Sequence, residues 1–392
     1  MYQRELSHEL ARRLQEPRRF MQVVSGPRQT GKTTAIKQAI QRVGIPVRVA
    51  NADSPTPRGE AWLEAEWRQA RALSSGSAPA VLVIDEVQKI DQWSEVVKRL
   101  WDEDSWSGLP LLVVLSGSSS LFMQEGLSES LAGRFEILHS THWTLAEMRE
   151  AFGYGLNEYL LYGGYPGAAS LIDNPERWTD YMRDSIIEAT VSKDVFQMES
   201  VRKPALLRNL FYLGAQFSTQ EISYRKLLGQ LDDKGNTDTI AHYLELLSGA
   251  GLMTGLKKHD PKAAEKRASS PRLMVHDPSL MSAAWEGGLD DLLSDSALRG
   301  HLVETAVGAT LLAWSRTQRF DLCWWRDKDD EVDFVISKGS KLTAIEVKSG
   351  RVKRTGGLEE FCRRFPNARP VIVGDRNTSV EDFLEGGVPL FA

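Results

Sequence analysis

Residues Gly26-Pro27-Arg28-Gln29-Thr30-Gly31-Lys32-Thr33-Thr34 satisfy the spacing G-x-x-x-x-G-K-[ST] without a mismatch. Apolar residues from Met21 to Val24 precede the loop, and Ala35 to Ile40 begin a helix behind it. A strand, a glycine loop and a helix N-terminus together cradle an anion, because backbone N–H groups and the helix dipole converge on it. Gly26 and Gly31 allow close backbone approach. Lys32 is expected to reach the β- and γ-phosphates of ATP, and the Thr33 hydroxyl to ligate Mg²⁺. A second piece belongs to this chemistry, and it is present. Ala80-Val81-Leu82-Val83-Ile84 is a continuous apolar run that ends in Asp85 and Glu86. Asp85 is expected to hold Mg²⁺, and Glu86 to orient the attacking water.

The last quarter carries a second constellation. Asp333 lies on one expected strand, with Glu346 and Lys348 two apart on the next, so the latter pair shares a face. With Glu304 on the preceding helix, this resembles the PD-(D/E)XK nuclease pattern. The resemblance implies Glu304, Asp333 and Glu346 as Mg²⁺ ligands and Lys348 beside the attacking water. Residues 341 to 376 hold nine Lys or Arg (Lys341, Lys348, Arg351, Lys353, Arg354, Arg363, Arg364, Arg369, Arg376). Four acids (Glu346, Glu359, Glu360, Asp375) oppose them, an excess that suits a polyanion such as DNA. The glutamine often found on the next helix of such nucleases is missing, with Leu358-Glu359-Glu360-Phe361 in its place. An intact nuclease fold that cuts nothing therefore stays open beside an active one.

These residues need elements to position them. Leu6, Leu10 and Leu14 set a helix over about Glu5 to Leu14, and Pro46 to Ala50 reads as a strand. Helices follow over Ala61 to Leu73 and around Trp93 to Trp101, and Leu109 to Leu115 is a further strand. Strands alternating with helices predict a parallel α/β sheet. After the last strand, Ser116 and Ser118 are candidates to bind the attacking water or the γ-phosphate; a serine-rich turn without that contact is the alternative. Arg134 in Leu131-Ala132-Gly133-Arg134 can serve its own site, act on a neighbour's as an arginine finger, or be an ordinary surface residue. Thr144 with Glu147 three residues on marks a helix start.

The loop, the Asp85-Glu86 strand, Ser116-Gly117-Ser118-Ser119, Leu131 to Arg134 and Gly163-Gly164-Tyr165-Pro166 together resemble prokaryotic AAA-type ATPases. More narrowly they are similar to the branch near signal-transducing (STAND-like) ATPases, with a poorly characterised nuclease-like C-terminal half. That resemblance implies a helical lid in which Pro166 touches the nucleotide. It also implies a winged helix over the helices around Leu206 to Phe217, Ile222 to Leu228 and Asn236 to Leu247 and an extended Leu252 to Lys258. The third of these helices offers His242 and few cations, so groove contact and a packing role both stand. Lys257 to Arg272 reads as an exposed loop, and His139 and His142 as structural.

The expected organisation is thus an ATPase core over 1–143, a lid over 144–200, a winged-helix-like segment over 201–270 and a restriction-endonuclease-like α/β domain over 271–392. A length of 392 residues accommodates that number of cores. The formal charge of −5 means that nucleic acid would have to meet a local patch. Cys323 and Cys362 make neither a disulfide framework nor a zinc site, and no apolar run is long enough to span a bilayer, so a cytoplasmic setting is expected. The reading is an ATP- and Mg²⁺-dependent ATPase that switches or drives a DNA-handling nuclease-like domain, with a homo-oligomer possible. A nucleotide-gated scaffold and a ring-forming remodeller are the rivals.

Overall fold

The computed structural model describes residues 2–74, 78–117, 130–195, 201–231, 236–260, 270–349 and 356–391. The chain divides into two compact units, Met1–Thr141 and His142–Ala392. Ser118 lies outside the described residues, as do Arg351, Lys353 and Arg354 of the basic segment and residues 261–269 of the expected loop.

The first unit is a five-stranded sheet in the order β2-β3-β4-β1-β5, with every pair parallel. Its strands are β1 (Met21–Ser25), β2 (Val47–Asn51), β3 (Ala80–Asp85), β4 (Leu111–Gly117) and β5 (Phe135–His139). Burial on both faces explains the unbroken apolar runs. Val81 and Val83 of β3 face a core shared with Leu10 and Leu14 of helix Glu5–Leu14 and Ile36 and Ala39 of helix Lys32–Val43. Leu82 and Ile84 face the opposite core, with Leu63 and Trp67 of helix Glu60–Leu73 and Val97 and Trp101 of helix Trp93–Ser107. Period-two alternation therefore divides one strand between two helical layers. All five strands end where the loop after β1 begins its turn, which brings Asp85 and Ser116 to the Lys32 helix.

The second unit is built on a six-stranded sheet, β11-β10-β9-β8-β6-β7. Its strands are β6 (Met253–Lys258), β7 (Arg272–Val275), β8 (Asp321–Asp327), β9 (Asp330–Lys338), β10 (Lys341–Val347) and β11 (Ala368–Val373). Three helices, Pro204–Gln216, Tyr224–Gln230 and Thr237–Gly249, precede the β6-β7 hairpin. That hairpin does not stand apart. Residues 253–256 of β6 pair antiparallel with β7, and Lys257 and Lys258 pair parallel with Cys323 and Trp324 of β8. A division at 270/271 would cut this hairpin and separate one sheet into two.

Helix Ser296–Gln318 crosses the sheet closely. A Cβ on Gly308 would lie 2.3 Å from Met274 Cε and 2.7 Å from Phe334 Cζ, so only glycine lets the helix sit so near β7 and β9. Glu304 is one turn earlier on the same face.

The Gly163-Gly164-Tyr165-Pro166 turn is also fixed by close contacts. Trp143 N donates to Gly164 O at 3.0 Å, and Gly164 N donates to Asp277 Oδ2 at 2.8 Å. Asp277 is 1% exposed and caps helix Pro278–Ala284 by accepting from Ser279 N at 3.0 Å. Asp277→Ala removes the cap and orphans the buried Gly164 N–H, so it should destabilise the second unit by about 2 kcal/mol. A lowered urea midpoint by tryptophan fluorescence checks this; an unchanged midpoint would contradict it.

Candidate functional sites

The loop after β1 is shaped by two glycines. Gly31 caps helix Lys32–Val43 with φ 85°, a left-handed value that favours glycine. A Cβ on Gly26 would lie 1.9 Å from Ser140 O, so the chain leaving β5 presses against the loop. Gln29 also has positive φ, 60°. The loop is stapled to β5 from outside: Arg4 Nη1 donates to Thr30 O at 3.2 Å and to Thr141 O at 3.0 Å, and Thr30 and Ser140 hydroxyls are 2.9 Å apart. Arg4 and Ser140 carry no local signal, because Arg4 lies 26 residues before Thr30 and Ser140 lies 110 residues after it.

Lys32 is buried within the loop, its Nζ donating to Gly26 O at 2.9 Å and Pro27 O at 2.7 Å. Thr33 Oγ1 donates to Asp85 Oδ2 at 2.9 Å. Asp85 Oδ1 accepts from Ser116 Oγ at 2.5 Å and from Glu86 N at 3.1 Å. The Thr33 hydroxyl and Asp85 carboxylate thus meet as two hard oxygens beside a backbone cradle, a donor set that fits Mg²⁺ and a nucleotide phosphate. Thr34 and Arg28 flank the cradle with solvent access. Ser116 is fully buried and bonded to Asp85, so its hydroxyl positions that carboxylate. Glu86 adopts φ 54°, ψ 40°, a conformation uncommon outside glycine and asparagine, and its carboxylate accepts from Gln88 Nε2 at 2.6 Å.

Arg134 is elsewhere. Met21 N donates to Arg134 O, which puts this arginine at the start of β1, about 15 Å (one strand length) from the loop at the strand's other end. Its guanidinium forms a two-pronged pair with Asp102, Nε to Oδ1 at 2.8 Å and Nη2 to Oδ2 at 3.0 Å, which holds the Asp102 carboxyl below its ordinary range. Arg134 therefore lies at the end of β1 opposite the loop of its own site. Pro166 opens a 3₁₀ turn, Pro166–Leu171, within the second unit. His142, expected to be structural, is hydrogen-bonded to the Tyr165 hydroxyl at 2.9 Å.

In the second unit the antiparallel register of β9 and β10 runs from Lys341↔Lys338 to Ile345↔Phe334; one more pair sets Glu346 opposite Asp333. Asp333 Oδ2 accepts from Val347 N at 2.7 Å, and Lys348 Nζ donates to Glu346 Oε1 at 2.5 Å. The residues read from the sequence do converge, but not on a place for an ion. Arg272 Nη2 lies 2.8 Å from Glu304 Oε1, 2.8 Å from Glu331 Oε1 and 3.5 Å from Asp333 Oδ1. Among the described residues no group of three His, Cys, Asp or Glu is arranged to hold a metal. Glu304 and Asp333, expected to share Mg²⁺ with Glu346, thus face the Arg272 guanidinium, and Glu346 faces Lys348. The basic rim is also partly spent, since Arg363 and Arg364 pair with Glu360, and Arg364 also with Asp327. Arg272 and Glu331 were missed. The signal available was a charged residue opening the apolar run Leu273-Met274-Val275.

Burial dominates the electrostatics here. It raises Glu304 to about 8 and Glu346 to about 7, each helped by the Asp333 charge, against Arg272 and Lys348 respectively. Burial also raises Asp333, opposed by Arg272, and lifts Asp277 to about 6. The native unit thus retains protons that the unfolded chain has already released. Its stability should be greatest below the unfolded carboxylate range and fall as pH climbs through 6 to 8. Glu304→Gln should flatten that fall. Urea titrations between pH 5 and 8 test the sign; stability rising with pH would contradict it.

Residues 18–149 match a family model described as an AAA domain. Residues 154–291 and 299–387 match two domains of unknown function, DUF8612 and DUF4143. An uncharacterised protein of Methanocaldococcus jannaschii is 28% identical over 275 residues, or 65% of this chain; the match spans 58% of that relative's length. Among solved structures, the RuvB Holliday junction branch migration motor of Thermotoga maritima aligns with a TM-score of 0.37 and 18% identity, over 68% of this chain and 94% of that one. The ORC1 protein of Aeropyrum pernix, in complex with DNA, aligns at 0.31 and 13%, over 76% and 92%. Both structural likenesses are distant. Over residues 18–149 the chain is thus similar to AAA domains, and its first unit has the parallel sheet and glycine loop described above.

Proposed function

We propose that the chain is a Mg²⁺-dependent ATPase whose nucleotide state controls a DNA-handling second unit that does not itself cut DNA. The observation that carries the ATPase reading is the Thr33–Asp85 pair, 2.9 Å apart, at the mouth of the glycine loop. Lys32, now folded onto two loop carbonyls, is placed to exchange them for phosphate oxygens. Thr33 and Asp85 would hold Mg²⁺, whose chemistry there would be to supply positive charge to the phosphates. Ser116 fixes the Asp85 carboxylate, and Glu86, next along the chain, orients water and takes its proton. Pro166 is the proposed relay of nucleotide state. A DNA partner is supported by the basic excess over residues 341–376, and the scaffold reading by Arg272, which lies in the would-be metal position.

Lys32→Ala should abolish tight ATP binding. Glu86→Gln should keep binding and lower turnover at least about a hundredfold. Fluorescent-nucleotide titration and phosphate release separate the two effects; wild-type turnover in Glu86→Gln would remove Glu86 from the role. Fluorescence anisotropy with labelled duplex should show DNA affinity changing between the ATP-bound Glu86→Gln protein and the nucleotide-free one. Equal affinities would sink the coupling.

Arg134, a strand length from its own loop and about a third exposed, is proposed to act on a neighbouring subunit of a homo-oligomer. Arg134→Ala protein mixed with excess Glu86→Gln protein should then regain part of the ATPase rate. No recovery, with a specific rate independent of protein concentration, would exclude a finger in trans.

A further inference from the structure

We propose that Arg272 occupies the cation position of the C-terminal carboxylate cluster and keeps that cluster closed to divalent metal. The cluster gathers Glu304 from helix Ser296–Gln318, Glu331 and Asp333 from β9, and Glu346 from β10. Each carboxyl of this group that ionises out of water needs positive charge beside it, which a fold can supply as a metal or as a side chain. Here the side chain is present. Arg272 is 5% exposed, and all three of its guanidinium nitrogens are engaged. Nε donates to Thr219 O at 2.5 Å, Nη1 to Asp333 O at 2.8 Å, and Nη2 faces three carboxylates.

The surroundings hold that guanidinium in place. Thr219 has φ 68°, unfavourable for a β-branched residue, and its carbonyl is the acceptor for Arg272 Nε. The Phe334 and Trp324 rings stand 5.9 and 6.0 Å from Arg272 Cζ, at cation–π range. Glu304 Oε1 and Glu346 Oε2 are buried with no hydrogen-bond partner among the described residues, so the 2.8 Å contact of Arg272 Nη2 with Glu304 Oε1 is an ion pair without hydrogen-bond geometry. The cluster also joins two sequence families. Arg272 falls in the match over residues 154–291, whereas the four carboxylates fall in that over 299–387. The counter-charge is supplied to the nuclease-like sheet by the module before it. Lys348 does not replace it, because its amine is committed to Glu346.

Mn²⁺ binding to the full chain, read by isothermal titration and by the Mn²⁺ EPR signal without nucleotide, tests this directly. The wild type should show no Mn²⁺ site that Asp333→Asn removes. Arg272→Met, which keeps an unbranched apolar stem and discards the charge, should gain about one Mn²⁺ per chain, lost again on adding Glu346→Gln. Arg272→Lys, which retains a cation, should bind as little as wild type. A wild-type site abolished by Asp333→Asn overturns the proposal. So does a folded Arg272→Met protein, by circular dichroism, that gains no site. If Arg272→Met does not fold, the wild-type and Arg272→Lys titrations decide alone: silence in both supports the proposal, and Asp333-dependent binding in either overturns it.

Discussion

A buried guanidinium among carboxylates organises the second unit. Taking Arg272 and its partners out of water is costly, and the cost is offset only if every charge keeps its partner. This constrains the backbone widely. β7 must begin at residue 272, the chain leaving helix Pro204–Gln216 must turn through the left-handed Thr219, and helix Ser296–Gln318 must approach close enough to deliver Glu304. Gly308, with no side chain between Met274 and Phe334, permits that approach. Losing one partner leaves an uncompensated charge, whereas replacing the whole set by apolar side chains need not destabilise. The unit is therefore sensitive to single substitutions at these positions in a way its aliphatic core is not.

The first unit follows a different logic. Its sheet is apolar on both faces, and the Thr33, Asp85 and Ser116 contacts sit at the strand ends. Asp85 joins three pieces of chain there: the Thr33 helix, the Ser116 strand and the Glu86 turn. The loop needs support because its own backbone cannot satisfy itself before a phosphate arrives. Lys32 and Arg4 supply it, the first from within and the second from the residue preceding helix Glu5–Leu14.

Much of this was legible in the sequence where local pattern decides geometry. The glycine loop, the Asp85 strand end and the Thr144–Glu147 capping box all depend on neighbours within a few residues. The pairing of Asp333 with Glu346 was legible too, because period two and one hairpin fix the register. What pattern could not show was Arg272. Its acidic partners lie 32 to 61 residues later in the chain, and Lys257 to Arg272, which includes it, reads as an exposed loop. The same holds for Arg134: its motif suggested nearness to the nucleotide, but β5 runs parallel to β1, so a residue just before β5 must lie at the far end. Short strands such as β5 and β7 were missed for a related reason. With four or five residues and a partner to lean on, they need little pattern of their own.

β6 changes partners along its length, from β7 on one side to β8 on the other. The two families matched over residues 154–291 and 299–387 are therefore not separable goods, although their sequence boundaries suggest that they are. A piece beginning at residue 299 would expose the β8 edge as a row of unpaired backbone groups, an invitation to intermolecular pairing. It would also bring its acidic residues into solution without their arginine. Grafting this C-terminal sheet onto another host, by recombination or in the laboratory, requires that the host bring both a strand and a cation.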